Sequence, residues 1–327
     1  MLDPLLYTKI RIKNNNKTIY STSEIQPLYL YPLTLKDYVE NIDSEEPIKI
    51  TILKTKEVMN YEEFFQKEFF QKLKVVEIVI HTKQEIKKVI EIIHLLYKKN
   101  ILISLLIEDL TFLTNDDLKA ITKEIKYFKI MWKSKKRKTY KNKLKLIAEI
   151  KRNDTLVHIK DYLKLEEIDH YDLYIKDLTP YIDIYQLSKE LLPLGKDNII
   201  IDNKYEEIIR QLEKKYKNNP RFISVKNLKE LYYPRFELED RNSHNCYACR
   251  LKPYLYEDII LPCKVKKVLD HKNLWGKRNE MDRKNFEKCG KECDDCASIY
   301  ENDILDSIKK IIKGKKIEVE MERDDNE

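Results

Sequence analysis

Six cysteines carry the clearest chemical signal in this chain. Cys246, Cys249, Cys263, Cys289, Cys293 and Cys296 follow the spacing C-x2-C-x13-C-x25-C-x3-C-x2-C, and the 245 residues before them hold no cysteine. Structural cysteines behave as small buried apolar residues and scatter through a core. Six within one short segment instead point to metal ligation. A C-x2-C loop directs two thiolates at one ion, and Gly290 lets the C-x3-C-x2-C stretch turn tightly. All-sulfur ligation suits tetrahedral zinc or an iron–sulfur cluster, and four of the six thiols suffice for either. His244 and His271 stand nearby and read as surface residues.

The next candidates are polar residues at the ends of apolar runs. His81, Glu108, Asp109, Lys133 and Asp177 each follow a predicted strand, where barrel sites are built. As loop residues they are equally ordinary, and no Ser–His–Asp or paired-carboxylate spacing is present. From Lys133 to Lys145 eight of thirteen residues are basic and none is acidic. A nucleic acid or another polyanion is the partner such a stretch suits, through Lys133, Lys135, Lys136, Arg137 and Lys138. A solvated helix start is the plain alternative. Lys264 to Arg278, with Trp275, is a second basic stretch.

The elements that must position these residues show a rhythm. Apolar, β-branched runs start near Ile48, Val75, Ile101, Lys126, Thr155, Tyr171, Asn198 and Arg221. Between most of them lie amphipathic segments of helical spacing, such as Glu85–Tyr97, Leu118–Ile125 and Tyr205–Tyr216. A strand and a helix alternating at about 25 residues is a βαβ series with a parallel sheet. The expected fold is therefore α/β: a (β/α) barrel-like, TIM-type domain, complete or partial, followed by a small cysteine-rich metal-binding domain. An open doubly wound sheet is the competing arrangement. The Tyr171 run follows Thr155 too closely for a full crossover. The predicted parts are an N-terminal hairpin and connector (1–44), the barrel-like domain (45–235), the cysteine-rich domain (236–313) and a charged tail (314–327), which reads as disordered surface.

Composition narrows the function classes. Charged residues make up 36% of the 327, but 63 basic residues against 56 acidic ones leave a net charge of only +7. Dedicated nucleic-acid domains are usually more one-sided. Only 4 glycines occur, the first at Gly195. This excludes a P-loop or a G-x-G-x-x-G turn upstream of it, since both need backbone only glycine permits. No targeting segment or membrane-spanning run is visible. A cytoplasmic protein is expected, whose reduced thiols favour metal over disulfides.

The segment from Cys246 through the hairpin to Pro262-Cys263, together with Cys289-Gly-Lys-Glu-Cys293-Asp-Asp-Cys296, resembles the SPASM or twitch extension of radical S-adenosylmethionine proteins. The turn holds Glu257-Asp258 where that extension has glycine. The barrel-like region is similar to the catalytic barrel of the same superfamily in its pacing. Its functional residues differ. Where the family has C-x3-C-x2-C after the first strand, this chain has Lys54-Thr-Lys-Glu-Val-Met-Asn60, and where it has Gly-Gly-Glu-Pro after the second, this chain has His81-Thr-Lys-Gln84. The resemblance implies a degenerate member. It would hold one [4Fe–4S] cluster in the cysteine segment, would not use S-adenosylmethionine, and would act as accessory or scaffold to a partner radical enzyme or a peptide or protein substrate. Zinc is the alternative metal, in a zinc-ribbon protein that binds nucleic acid. A third possibility is an enzyme of unrelated chemistry on the same barrel.

Overall fold

The computed structural model describes residues 8–14, 17–22, 32–33, 35–44, 46–189, 207–216, 219, 222–224, 251–261 and 318–323. In chain order its elements are β1 (Thr8–Asn14), β2 (Lys17–Thr22), α1 (Leu35–Asn41), β3 (Lys49–Lys54), α2 (Tyr61–Phe64), β4 (Val75–Ile80), α3 (Ile86–Lys98), β5 (Leu102–Ile107), α4 (Asn115–Ile121), β6 (Tyr127–Met131), α5 (Arg137–Ile150), β7 (Leu156–Leu163), α6 (Tyr171–Leu178) and β8 (Ile184–Lys189). After a helix over 207–215 come β9 (Phe222–Ser224), β10 (Tyr254–Tyr256), β11 (Ile259–Leu261) and β12 (Glu318–Arg323).

The main sheet has the order β11-β10-β3-β4-β5-β6-β7-β8-β9. From β3 to β9 that order is the order of the chain. A doubly wound sheet reverses direction at a switch point, and the described strands show none. The fold is a mostly parallel α/β sheet of the partial-barrel type.

The chain divides into two compact units. In the first, Ile80–Ile86 with Leu105–Tyr233, strands β6, β7, β8 and β9 pair in parallel. Phe128, Ile130, Val157, Ile159, Leu163, Tyr185 and Leu187 are fully buried. Burial of such side chains stabilises by roughly 1.5–3 kcal/mol each. Trp132 at the end of β6 packs on Tyr140 of α5 and Tyr174 of α6, so both helices cover this face. Thr114 and Asp117 close α4 reciprocally: Asp117 N donates to the Thr114 hydroxyl (3.1 Å), and Thr114 N to the Asp117 carboxylate (2.7 Å).

The second unit comprises Pro4–Val79, Lys87–Ser104 and Pro234–Glu327. Here β3 pairs in parallel with β4 and with β10, and β10 turns into antiparallel β11. Tyr61, Phe64, Phe65 and Phe70 form a ring cluster after β3, with centroids 4.7–6.4 Å apart. Helix α3 ends on Asn100 at φ 56°, the position where helices usually place glycine, and Ile101 N closes it on Leu96 O at 3.1 Å.

Three sequence expectations change. The Tyr171 run is not a strand but α6: Tyr171, Tyr174, Ile175 and Leu178 are buried at helical spacing. The strand that follows β7 is instead β8, whose IYQLSK had been passed over. The charged tail contains β12, antiparallel to β1 in a sheet of order β12-β1-β2. The reason is in the sequence: Glu318, Glu320 and Glu322 alternate with Val319 and Met321, and the register sets those glutamates opposite Lys13, Arg11 and Lys9 of β1. The Asn198 run and the helix expected near 303–312 lie outside the described residues. Among the described residues no helix is long and apolar enough to cross a membrane.

Candidate functional site

The loop after β3 carries Lys54-Thr-Lys-Glu-Val-Met-Asn60. It closes on itself: Met59 N donates to Lys56 O (3.2 Å), Lys56 N to the Tyr61 hydroxyl (3.0 Å), and Asn60 caps α2 through Glu63 N (3.3 Å). The β10–β11 turn clasps the same loop. Lys54 pairs with Glu257 and Lys56 with Asp258, each at 2.5 Å, while Glu257 N donates to Lys54 O at 2.9 Å. Glu257 adopts φ 58°, the left-handed conformation that the glycine of the resembling turn would take freely. Hydrogen bonding to Glu257 holds the Lys54 ammonium above its ordinary pKa, and bonding to Lys56 holds the Asp258 carboxyl below its own.

At the end of β4, Glu85 fills the amides that a bound anion would otherwise take. Its Oε2 accepts from His81 N and Thr82 N, both at 3.1 Å, completing a capping box at the start of α3. His81 Nδ1 lies 2.8 Å from Glu108 Oε1, so the structure brings these two predicted residues together on the ends of β4 and β5. Asp109 is turned inward. Burial raises its pKa, but Lys136, the Thr111 hydroxyl (2.7 Å) and Thr111 N (2.9 Å) outweigh that and hold the carboxyl below its usual value. Asp177 does not follow a strand: it lies in α6 and pairs with Arg137 and Lys141.

Part of the basic stretch is committed to the chain's own acids and carbonyls. Lys136 goes to Asp109 and Arg137 to Asp177, while Lys145 pairs with Glu149 at 3.9 Å. Buried Lys143 donates to Leu110 O and Leu113 O, closing the turn before α4. Of the five residues proposed for a polyanion, Lys136 and Arg137 are thus engaged within the chain.

A polar row inside the sheet escaped the sequence reading. In the first unit, Lys129 of β6 and His158 of β7 are register partners, and Lys160 stands opposite Gln186 of β8. The Tyr127 hydroxyl lies 2.6 Å from His158 Nδ1, and the two rings stack with centroids 5.8 Å apart. Gln186 acts on the same ring and favours its charged form, but less than burial and the two lysines oppose it. Burial first, then Lys160 and Lys129, push His158 well below the ordinary imidazole pKa, so the ring is neutral. Exposure rises along this face from His158 at 2% to Tyr162 at 44%, so it opens toward the strand ends. In the second unit the corresponding row is Lys49, Thr51, Glu77 and Ser104. Glu77 accepts from Ser104 (3.1 Å), Lys49 (3.3 Å) and Thr51 (3.5 Å). The signal was one polar residue near the middle of each apolar run: Glu77 in VVEIVI, Ser104 in LISLLI, Lys129 in YFKIM, His158 in LVHIK. Strands buried on both faces are normally apolar throughout.

Cys246, Cys249, Cys263, Cys289, Cys293 and Cys296 all lie outside the described residues. The hairpin between Cys249 and Cys263 is described, and it closes with Tyr254 opposite Leu261. Among the described residues no group of three or more His, Cys, Asp or Glu is arranged to hold a metal.

In structure the chain is similar to Streptococcus suis SuiB bound to S-adenosylmethionine, with a TM-score of 0.53 and 13% identity over 81% of this chain and 75% of that one. The likeness shows a shared fold. A second SuiB structure gives a TM-score of 0.49 at 11% identity, over 81% of this chain and 70% of that one. SuiB bound to its precursor peptide SuiA gives 0.49 at 13%, over 74% and 66%. Identity this low carries the fold and not the activity. No protein-family model and no curated protein matches the sequence. On that fold, the loop after β3 offers no thiol that could ligate a cluster. After β4 the amides of His81 and Thr82 donate to Glu85.

Proposed function

We propose that this chain is a degenerate radical S-adenosylmethionine protein: an iron–sulfur accessory or scaffold that performs no radical chemistry itself. The observation that carries this is the loop from Lys54 to Asn60, which stands after the first barrel strand, has no cysteine, and is tied shut by Tyr61, Glu257 and Asp258. In this reading four of Cys246, Cys249, Cys263, Cys289, Cys293 and Cys296 hold one [4Fe–4S] cluster, since the donor set is all thiolate. The hairpin supports a shared site, because Tyr254 and Leu261 pair while the chain enters just after Cys249 and leaves just before Cys263. The partner is an active radical enzyme or a peptide or protein substrate.

The test is anaerobic purification followed by a visible spectrum and iron, sulfide and zinc analysis, then incubation with dithionite and S-adenosylmethionine. A brown protein holding one cluster and releasing no 5′-deoxyadenosine is the expected result. Sustained 5′-deoxyadenosine production sinks the degenerate reading. A colourless protein carrying stoichiometric zinc replaces the cluster with a zinc site and reopens the zinc-ribbon reading.

A further inference from the structure

The helix-covered face of the first unit holds one ionisable residue in an otherwise apolar row. Asp161 follows Val157 and Ile159 along β7 and is 2% exposed. The Tyr185 hydroxyl from β8, itself fully buried, donates to Asp161 Oδ2 at 2.5 Å. A buried acid–phenol pair costs more than an apolar pair of the same shape. A buried tyrosine needs no acid to be satisfied, as Tyr171 shows by donating to Tyr162 O at 3.1 Å. The pair therefore stands in the core against stability.

Near it runs a series of oxidisable rings, of which Tyr171 and Tyr174 act electrostatically on Tyr185. Tyr140 meets Trp132 edge-on at 5.4 Å between centroids, Trp132 meets Tyr174 at 5.5 Å, and Tyr174 meets Tyr171 at 5.9 Å. Exposed His170 lies 6.1 Å from Tyr174 and marks the solvent end. Tyr171 and Tyr174 both lie close enough to feel the charge on Asp161.

We propose that Tyr185, with Asp161 as its proton acceptor, is a redox-active tyrosine that receives a single oxidising equivalent through Tyr174 and Tyr171. The oxidant is of the one-electron, oxyl-radical class, arriving at the His170–Tyr174 end. It gains one electron, drawn in turn from Tyr174, Tyr171 and finally Tyr185. Tyr185 loses that electron and its phenolic proton, and the O–H bond breaks along the existing hydrogen bond. The products are a neutral tyrosyl radical, a protonated Asp161 and the reduced oxidant. A phenol gives up an electron far more readily when a base takes its proton at once. Burial raises the pKa of Asp161 to about 6, so above that pH it is an ionised carboxylate of more than ordinary basicity. The groups facing it are Tyr185 from β8, Tyr171 and Tyr174 from α6, and Lys164 and Glu167 after β7. This inference is independent of whether the cysteine segment binds iron.

The test uses the full-length protein and a flash-generated trivalent ruthenium polypyridine as oxidant, read by electron paramagnetic resonance. The wild type is expected to give a long-lived tyrosyl signal that declines as pH falls through the titration of Asp161. Tyr185→Phe should lose the long-lived component and Tyr174→Phe should slow its appearance, whereas Tyr162→Phe, on the opposite face, should leave it unchanged. Asp161→Asn supplies a second arm if Tyr185→Phe fails to fold, and it should shorten the radical lifetime. A long-lived signal equal in wild type and Tyr185→Phe, or one indifferent to pH and to Asp161→Asn, overturns the proposal.

Discussion

The two faces of β6, β7 and β8 are built from the same strands and obey different rules. On the side covered by α5 and α6 stand Phe128, Ile130, Val157, Ile159, Tyr185 and Leu187, all fully buried, with Asp161 as the exception. On the other side stand Tyr127, Lys129, His158, Lys160 and Gln186. Both faces are deeply buried near their centres, so burial alone does not explain the difference. The helix side needs apolar surface to hold the layers together. The other side carries polar groups that stability would not select, since each must be bonded to offset its desolvation. The two faces thus meet burial differently, one with apolar packing and one with bonded polar groups, and the contrast can be tested from either side.

The largest effect is expected on the helix side. Ile159→Ala should cost about 2–5 kcal/mol, because it leaves a cavity between two layers that relax little. Urea unfolding followed by far-ultraviolet circular dichroism measures it. A loss smaller than that of polar-face substitutions would break the division.

Asp161 sharpens the comparison through pH. Its pKa is about 6 in the fold against 3.8 when unexposed to this burial, so the folded chain binds its proton more tightly. The stability it contributes is fully present below the unfolded pKa and is lost as pH rises through about 6. A difference of this size corresponds to about 3 kcal/mol. Unfolding at about pH 8 and about pH 5 should therefore differ in favour of the lower value at this site. Asp161→Asn should remove that share of the difference. An identical pH profile in the variant would show that Asp161 is solvated after all.

The polar face should behave otherwise. His158→Leu alone should cost about 1–3 kcal/mol, because it removes a buried hydrogen-bond partner of the Tyr127 hydroxyl. Adding Tyr127→Phe should recover most of that, since removing both partners of a buried bond is nearly neutral. Failure of the second substitution to recover stability would mean His158 is held by packing and not by its hydrogen bond.

The smallest effects concern the left-handed backbone. Asn100→Gly relieves a conformation that costs a side-chain-bearing residue roughly 1 kcal/mol, offset in part by the greater freedom of glycine when unfolded. A melting temperature unchanged or slightly raised is expected. Glu257→Gly gives the same relief but removes the partner of Lys54, so the loop from Lys54 to Asn60 should exchange its amides faster while the sheet does not. Uniform exchange across both would show that the clasp does not act locally.

Much of the fold was legible because its causes are local. The strand runs at 48, 75, 101 and 126, the helical stripe of α3 and the Thr114–Asp117 start of α4 follow from periodicity and capping, which neighbouring residues decide. The Tyr171 segment misled because apolar residues at Tyr171, Leu173 and Ile175 satisfy a strand's alternation, while the buried set Tyr171, Tyr174, Ile175 and Leu178 satisfies a helix. Packing against Trp132 favours the second. The tail became β12 because a strand exists only once β1 offers its edge. By itself the sequence determined the alternation of strand and helix, the lack of thiols after the first strand and the confinement of all cysteine chemistry to residues 246–296. Those are matters of residue type and order. Only the tertiary structure decided that the strands lie in chain order, that Glu257 and Asp258 close the loop after β3, and that Asp161 and His158 face opposite ways from one strand. Such pairings depend on register and on residues far apart in the chain, and a sequence does not print its register.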